Sequence, residues 1–370
     1  MAIKTKDYGR QYAAIWPEII SAITETLRHD DPVLGAALER FESDLAAYHC
    51  VKHAIGLGSG TDAIVLGLRA LGIGPGDEVV TCAHTFTGVV SAILQAGAHP
   101  VLVEPEDVHG LLPADGAAAA VTSRTRAIVA VHLYGHPVDL DAIVALCAHH
   151  QLALLEDCAQ AHGARWKGRP VGSFGHLAAL SFHPSKNLGA FGDAGALLTN
   201  DTAVADRVRV LRNLGKVDKY QFAEIAPNSK LDTLQAALLG TKLRYLERWV
   251  SWRATLAQRY QRGLCELSAV QPPQVAACAR HAWHLYVVRT PYREALRRHL
   301  ERAGIQTGMH YPVAAHRHPA IERAVGRLTL PAADQWADQV LSLPLSHEHD
   351  EGEIDAVVAA LRTFETLAPA

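Results

Sequence analysis

The chain has 370 residues, and its 35 lysines and arginines against 38 aspartates and glutamates give a formal net charge of −3. Because no excess of positive charge is available to attract a polyanion, binding to nucleic acid or to an anionic membrane surface is not expected. The length exceeds that of an average single domain and predicts two domains with buried cores.

Cysteine and histidine usage limits the classes of site. The six cysteines have no Cys-x-x-Cys spacing, and the 21 histidines include no pair at the spacing of a helical metal site. Neither a disulfide framework nor a bound metal is therefore expected. The first residues carry charges without an apolar segment behind them, and no apolar run is long enough to span a bilayer. We expect a cytoplasmic protein with no membrane partner.

Helical and strand-like segments alternate through the first part of the chain. Apolar residues spaced three and four apart predict helices, and short aliphatic runs predict strands. The predicted helices are 36–48, 62–71, 88–97, 112–121 and 139–150, and the predicted strands are 53–57, 78–82, 100–104, 126–133, 152–156 and 177–182. This order predicts an α/β domain, in which helices cover both faces of a mostly parallel sheet.

The remainder of the chain has a different pattern. Residues 231–264 predict one or two long helices, and Gln271-Pro272-Pro273 interrupts them as a linker. A strand and two helices are predicted next, at 284–289, near 293–303 and from about 351. This mixture predicts a smaller α+β domain, so that the predicted domains are 1–240 and 241–370.

The carboxyl ends of the predicted parallel strands are where a ligand is expected, because loops and helix N-termini gather at that edge. After the first strand, Gly58-Ser59-Gly60-Thr61 begins a helix. Its backbone N–H groups suit a phosphate, although an ordinary N-cap turn or a dinucleotide fingerprint has the same form. The second strand ends in Thr81-Cys82 and not in an acidic residue, which disfavours NAD.

Two charged residues follow later strands. Asp157 ends an apolar run, where a carboxylate needs a hydrogen-bonding or cationic partner. It is either a loop-anchoring aspartate or the partner of a protonated pyridine nitrogen. Lys186 lies beyond the strand 177–182 in a stretch rich in glycine and small residues. It is either a solvated lysine or an amine that can form a Schiff base with a bound ligand.

Taken together, several segments resemble the DegT/StrS-like nucleotide-sugar aminotransferases, a family of fold-type I pyridoxal-phosphate enzymes. They are G-S-G-T-D-A (58–63), H-L-Y-G (132–135), E-D-C-A-Q-A-H-G-A (156–164), S-F-H-P-S-K-N-L-G-A-F-G-D-A-G (181–195) and N-S-K-L-D-T-L-Q-A-A (228–237). The resemblance continues in order through H-L-Y (284–286), H-Y-P (310–312) and L-S-L-P-L (341–345). It implies an αβα sandwich followed by a smaller C-terminal domain.

The resemblance also implies roles for residues at the catalytic centre. Lys186 matches the lysine that binds pyridoxal 5'-phosphate covalently and then moves a proton between the substrate carbon and the cofactor. Asp157 matches the aspartate that keeps the ring nitrogen protonated. Gln160 matches the contact to the 3-hydroxyl, and Phe86 matches the aromatic residue stacked on the ring.

Contacts to the cofactor's phosphate are implied in the same way. Gly60, Thr61 and Ser181 match its ligands within one chain. Asn228 matches a residue that reaches the phosphate from the neighbouring subunit, which implies a homodimer with shared active sites. Here Ala226-Pro227 precedes Asn228, and Lys230 stands where the family has an arginine. A lysine lacks the planar fork of arginine, so this contact is expected to be rearranged.

The implied reaction transfers an amino group from L-glutamate to a keto sugar on a nucleoside diphosphate. The motifs look most like those of 3-aminotransferases for dTDP-3-keto-6-deoxyhexoses, with 4-keto-sugar and UDP-3-keto-hexuronate enzymes as alternatives. The candidate substrate contacts, each of which could equally be a solvated or packing side chain, are Lys216, Lys219, Tyr220, His310 and Tyr311.

Three other functions remain to be separated from transamination. Family relatives that dehydrate the sugar replace the lysine with histidine, whereas this chain keeps Lys186. A regulatory protein that binds pyridoxal phosphate without catalysis is a second alternative. An NAD-dependent oxidoreductase is the third, and an absorbance spectrum distinguishes it, since a Schiff base of pyridoxal phosphate absorbs visible light and bound NAD does not.

Overall fold

A computed structural model describes residues 2–366 of the chain. The helices are α1 (Tyr8–Ala14), α2 (Trp16–His29), α3 (Ala36–His49), α4 (Gly60–Ala70), α5 (Thr87–Gln95), α6 (Ala114–Ala119), α7 (Leu140–His150), α8 (Thr202–Arg212), α9 (Thr233–Leu243), α10 (Leu246–Leu264), α11 (Arg293–Arg302), α12 (Pro319–Val325), α13 (Pro331–Gln339) and α14 (Glu351–Glu365). The strands are β1 (His53–Leu57), β2 (Glu78–Cys82), β3 (His99–Val103), β4 (Thr125–Val131), β5 (Ala153–Asp157), β6 (Arg165–Trp166), β7 (Arg169–Pro170), β8 (Leu177–Ser181), β9 (Gly195–Thr199), β10 (Ala279–Arg280), β11 (Tyr286–Arg289) and β12 (Val340–Leu343).

The central sheet has seven strands in the order β1-β9-β8-β5-β4-β2-β3. Its strands run parallel except β9, which pairs antiparallel with both β1 and β8. The predicted mostly parallel sheet is therefore confirmed, and β9 is an addition that the sequence pattern did not indicate. Because β9 runs in the opposite direction, its first residue, Gly195, lies beside Leu57 and Ser181 at the carboxyl edge of the sheet.

Helix α4 lies unusually close to this sheet. A Cβ atom on Gly67 would come within 2.9 Å of methyl groups of Leu177 and Leu197. A glycine at this position allows close helix–strand packing, which an added side chain would disturb. The body of α4 therefore packs directly on β8 and β9.

Some element boundaries differ from the predicted ones. β4 ends at Val131 and not at residue 133, because Leu133–Gly135 forms a 3-10 turn in which Tyr134 has a φ of 61°. The N-terminal helices α1 and α2 were not predicted. α2 carries apolar residues on both faces, since Ile19 is fully buried whereas Leu27 is 73% exposed.

A second buried core lies in the C-terminal part of the chain. It is formed by residues of α10, α11 and α14 together with the antiparallel pair β11–β12. The predicted linker is tied into this part, since Gln271 exchanges backbone hydrogen bonds of 2.8 and 3.0 Å with Arg289. α10 contributes to both cores, with Val250 in the first and Leu256 in the second. The boundary near residue 240 stays a prediction.

Among residues 2–366, no helix combines the length and the apolar character that crossing a bilayer requires.

Candidate active site

A cavity of about 370 Å³ opens at the carboxyl edge of the sheet. Residues from the ends of β1, β5 and β8 meet there with a loop from the C-terminal part of the chain. The sequence-predicted residues that line it are Gly60, Thr61, Phe86, Asp157, Ser181, Lys186, His310 and Tyr311. Segments far apart in the chain thus supply one site.

The N-terminus of α4 forms one wall. Ser59 caps the helix, its hydroxyl oxygen accepting from the backbone N–H of Asp62 at 3.0 Å. Within the described residues, the N–H groups of Gly60 and Thr61 have no hydrogen-bond acceptor. Free N–H groups at the positive end of a helix attract an anion, so this wall suits a phosphate.

Two glycines allow this wall to lie close to the strands. A Cβ on Gly60 would stand 2.8 Å from Ser181 Cβ, and one on Gly195 would stand 2.3 Å from the carbonyl carbon of Ser59. Either substitution would push the helix terminus away from the sheet. Gly195 is the last residue of the segment 181–195 that resembles the family, but its role follows from the antiparallel strand β9, which the sequence pattern did not reveal.

Asp157 is buried at the end of β5. Burial raises the pKa of its carboxyl group, while the backbone N–H of Ala159, which donates to Oδ1 at 2.9 Å, and the Lys186 ammonium act in the opposite direction. Oδ2 has no hydrogen-bond partner among residues 2–366. A protonated ring nitrogen in the cavity would supply the missing partner.

Lys186 lies in the loop after β8, where burial lowers the pKa of its amine to about 8 and the charge of Asp157 acts the other way. A lysine with this pKa is neutral more often at neutral pH than an exposed lysine, and only the neutral amine is a nucleophile. The site thus contains an activated amine.

The loop that carries Lys186 is held from several sides. Asn187 Nδ2 donates to Ala282 O at 2.8 Å, and Lys242 Nζ donates to Gly189 O at 2.6 Å. The Lys242 ammonium also stands 5.0 Å from the centroid of the Phe191 ring. These contacts reach the loop from β10–β11 and α9, so tertiary packing positions the lysine.

Gln160 takes part in a network behind the cavity. Its Oε1 accepts from the backbone N–H of Tyr134 at 2.7 Å, and its Nε2 donates to Tyr311 Oη at 2.9 Å. The Tyr134 hydroxyl donates to His310 O and lies 2.7 Å from His84 Nε2. Gln160 therefore positions the wall residue Tyr311, and its contact to a 3-hydroxyl stays a prediction.

Phe86 stands at the start of α5, with its ring centroid 5.6 Å from that of Tyr311. The residue is 49% exposed although it lines the cavity. A Cβ on Gly88 would come within 2.3 Å of the Phe86 ring, so the glycine leaves space for it. An exposed ring at a cavity wall can stack on a planar ligand.

Besides Gln160, four predicted residues lie outside this cavity. Lys216, Lys219, Tyr220 and Asn228 belong to the segment 213–230, which we call the arm. Apolar arm residues are exposed, with Phe222 at 58% and Ile225 at 95%. The arm residues do not contribute to the cavity of their own chain.

Other cavity residues had no predicted role. His183, Asp193 and His284 line the cavity. Near it lies Lys6, whose charge helps to lower the pKa of His284, after burial and the charge of Lys186. The N-terminal segment is fixed by a 2.9 Å hydrogen bond from Ile3 N to Gly304 O. No sequence pattern marked Lys6, because its position depends on that long-range pairing.

One cluster in the described residues has the composition of a metal site, namely His132, Glu156 and Cys158. His132 Nδ1 accepts from Val138 N at 3.2 Å, so Nε2 carries the hydrogen and donates to Glu156 Oε2 at 3.1 Å. Glu156 also accepts from the N–H of Phe174 at 2.7 Å. With its imidazole lone pair already used, the cluster acts as a hydrogen-bond network that joins β4 to β5.

A larger cleft of about 800 Å³ shares Tyr134 with the network around Gln160 and none of the other residues of that network. Its histidines have protein partners, since His136 Nε2 accepts from Ala276 N at 3.0 Å and His281 Nδ1 accepts from Trp283 N at 2.8 Å. The smaller cavity, which holds Lys186 and Asp157, is the better candidate for catalysis.

Comparisons with known proteins identify the family of the chain. A sequence profile of the DegT/DnrJ/EryC1/StrS aminotransferase family matches residues 14–362. The chain is 44% identical over 359 residues to dTDP-3-amino-3,4,6-trideoxy-alpha-D-glucose transaminase of Streptomyces venezuelae, covering 97% of this chain and 95% of the relative. It is also 44% identical over 363 residues to the erythromycin biosynthesis sensory transduction protein EryC1 of Saccharopolyspora erythraea, covering 98% and 99% of the two chains.

Among solved structures, the crystal structure of S. venezuelae DesV in complex with a ketimine intermediate superposes with a TM-score of 0.96. The two sequences are 43% identical, and the match covers 99% of each chain.

Proposed function

The chain belongs to the DegT/DnrJ/EryC1/StrS aminotransferase family, and from this premise we propose that it aminates a dTDP-3-keto-6-deoxyhexose with the amino group of L-glutamate. The observation that carries the proposal is the joint presence of Lys186, Asp157 and the free N-terminus of α4 in one cavity. An amine, a buried acid and a phosphate site are the groups that pyridoxal phosphate requires.

The residues of the cavity fit this cofactor. The free N–H groups of Gly60 and Thr61 suit its phosphate, and the unpaired Oδ2 of Asp157 suits its protonated ring nitrogen. When bound, pyridoxal phosphate supplies an aldehyde that takes up the amine and a cationic ring that stabilises negative charge at the substrate carbon. Phe86 offers an exposed ring face for stacking.

Asp157 and Lys186 do the acid–base work of the proposed reaction. Burial raises the pKa of the Asp157 carboxyl group, and a cation at Oδ2 stabilises its charged form. Lys186 Nζ has a pKa of about 8, so it can take up and return a proton near neutral pH. His310 and Tyr311 line the same cavity, where they can contact the sugar.

A homodimer is part of the proposal. Two observations support it: the arm exposes large apolar residues such as Phe222 and Ile225, and Asn228 does not line the cavity of its own chain. In the dimer, Asn228 would reach the cofactor phosphate of the partner subunit, and Lys216, Lys219 and Tyr220 would approach its sugar nucleotide.

The choice of sugar rests on the relative from Streptomyces venezuelae, whose name describes a dTDP-3-amino sugar transaminase. A 4-keto sugar and a UDP-3-keto-hexuronate are the alternatives. Running the reaction backwards separates them: the protein is given 2-oxoglutarate and a panel of dTDP- and UDP-amino sugars, and glutamate formation is measured. Consumption of a dTDP-3-amino-6-deoxyhexose supports the proposal, whereas consumption of only a 4-amino or UDP-linked sugar contradicts it.

A regulatory function is the second candidate, because one relative at 44% identity is named a sensory transduction protein. A regulator without catalysis would bind pyridoxal phosphate and become coloured, but L-glutamate would not change its spectrum. An aminotransferase loses its visible absorbance on adding L-glutamate and regains it with 2-oxoglutarate. The same spectra test the NAD alternative, in which the protein stays colourless.

A further inference from the structure

Lys230 binds two asparagine side chains of the arm. Its Nζ donates to Oδ1 of Asn228 at 2.6 Å and to Oδ1 of Asn213 at 3.1 Å. Asn228 is exposed, and its Nδ2 has no partner among residues 2–366. The lysine therefore holds the acceptor end of the Asn228 amide and leaves the donor end free.

The backbone around this contact is already fixed. Asn213 and Asn228 form an antiparallel bridge, and Ser229 N donates to Arg212 O at 2.9 Å. The Ser229 hydroxyl donates to Asp62 Oδ2 at 2.7 Å and accepts from Gly58 N at 3.1 Å. With the main chain held in this way, the remaining freedom of Asn228 is rotation of its side chain.

The orientation of the amide decides what it can bind. The oxygen and nitrogen ends are nearly equal in size, but only the NH₂ end donates a hydrogen bond, and only a donor is attracted by a phosphate. A cation that binds Oδ1 favours the orientation in which Nδ2 points away from the chain. Without it, the amide can turn and present an oxygen to the anion.

We propose that Lys230 is a positioning residue, which orients the Asn228 amide so that Nδ2 donates to the cofactor phosphate of the partner subunit. The inference rests on the proposed function, since it requires the shared active site of the homodimer. Lys230 acts through Asn228, because two asparagine oxygens of its own chain hold its ammonium. An arginine at this position could contact the anion directly, whereas Lys230 acts on it through the amide of Asn228.

Binding of pyridoxamine 5'-phosphate to the apo dimer tests the proposal without relying on catalysis. This ligand forms no bond with Lys186, so its affinity reflects the noncovalent contacts. Lys230→Met should raise the Kd for pyridoxamine 5'-phosphate by about threefold to tenfold, which corresponds to the loss of one hydrogen bond. Lys230→Arg should restore most of the affinity, and Lys52→Met, which removes an exposed lysine elsewhere, should leave Kd unchanged.

Two further measurements show whether the effect of Lys230 on binding depends on Asn228. In an Asn228→Ala background, Lys230→Met should cause little additional loss, because the amide that it orients is absent. Pyridoxamine, which lacks the phosphate, should bind the parent and the Lys230→Met variant equally. If Lys230→Met weakens both ligands alike, or weakens binding as much without Asn228, the positioning role is wrong.

For each variant, light scattering measures the oligomeric state and circular dichroism measures whether the protein is folded. If the parent is a dimer and Lys230→Met binds as tightly as the parent, this inference fails and the proposed function stands. A monomeric parent that catalyses transamination would contradict this inference and the proposed homodimer, while the proposed reaction would stand. If Lys230→Met does not fold, Lys230→Ala is measured in its place with the same expected loss.

Discussion

Asp157 and Lys186 act on each other's ionisation across one cavity. Burial raises the pKa of the aspartate and lowers that of the lysine, and each charge partly offsets the effect of burial on the other group. The pair therefore combines an acid able to hold a cation with an amine that is neutral often enough to react.

The capture of pyridoxal phosphate by the apo protein should depend on pH. Since the pKa of Lys186 is about 8, its neutral fraction and the capture rate should rise about tenfold per pH unit below 8 and level off above it. In Asp157→Asn, the charge that raises the lysine pKa is removed, so the curve should shift to lower pH. Stopped-flow absorbance from pH 6 to 9.5 measures both curves, and an unchanged midpoint in the variant would rule out the coupling.

Lys186→Ala should abolish transamination, with turnover reduced by at least about 10²-fold to 10⁴-fold, because it removes the amine proposed as the acid–base group. The variant should also lose the yellow species that borohydride reduces onto the protein. Lys52→Ala, at an exposed position, is the control and should keep both properties. Mass spectrometry of the reduced protein identifies the labelled residue; a label elsewhere would remove the assignment.

Asp157→Asn should lose activity but not stability. The buried carboxylate is unfavourable in the folded apo protein, as its raised pKa indicates. A raised folded-state pKa means that ionisation disfavours folding at pH values above the unfolded pKa, so at pH 7 the neutral amide should keep or increase stability. Thermal unfolding of the apo variant and its turnover with L-glutamate measure the two effects. A large drop in Tm would show that Asp157 is structural.

Gly195→Ala should weaken cofactor binding. Its Cβ would lie 2.3 Å from the carbonyl carbon of Ser59, so the terminus of α4 must move and about 1–3 kcal/mol of stability should be lost. Gly240→Ala is the matched control, because a Cβ there meets nothing within 4 Å and alanine favours the helix α9. Titration with pyridoxamine 5'-phosphate compares them. Equal affinity of the two variants would contradict the phosphate site.

Mixing two defective proteins should restore activity if the sites are shared. A heterodimer of Lys186→Ala and Asn228→Ala chains contains one site with both residues intact and one with neither. Half of randomly exchanged dimers are mixed, so about a quarter of all sites should be active. Activity is followed after subunit exchange, with each variant alone as the baseline. No gain after confirmed exchange would show that Asn228 does not act across the interface.

The sequence by itself determined that several of the predicted residues meet at one edge of the sheet. The carboxyl ends of parallel strands share one edge, so Gly60, Thr61, Asp157 and Lys186 could be placed together from strand order alone. The motifs around them identified the family, which the profile match over residues 14–362 confirmed. Such signals are local in the chain, and for that reason they can be read without a structure.

Only the tertiary structure decided how these groups are tuned and held. The pKa of Lys186 depends on burial by distant segments, and the position of Gly195 against Ser59 depends on the reversed strand β9. Gln160 binds Tyr311, and Lys230 binds Asn213, through contacts that no spacing encodes. Packing between residues far apart in the chain sets the dielectric environment of a side chain, its hydrogen-bond partners and how closely two backbone segments approach. A local sequence pattern contains none of this information.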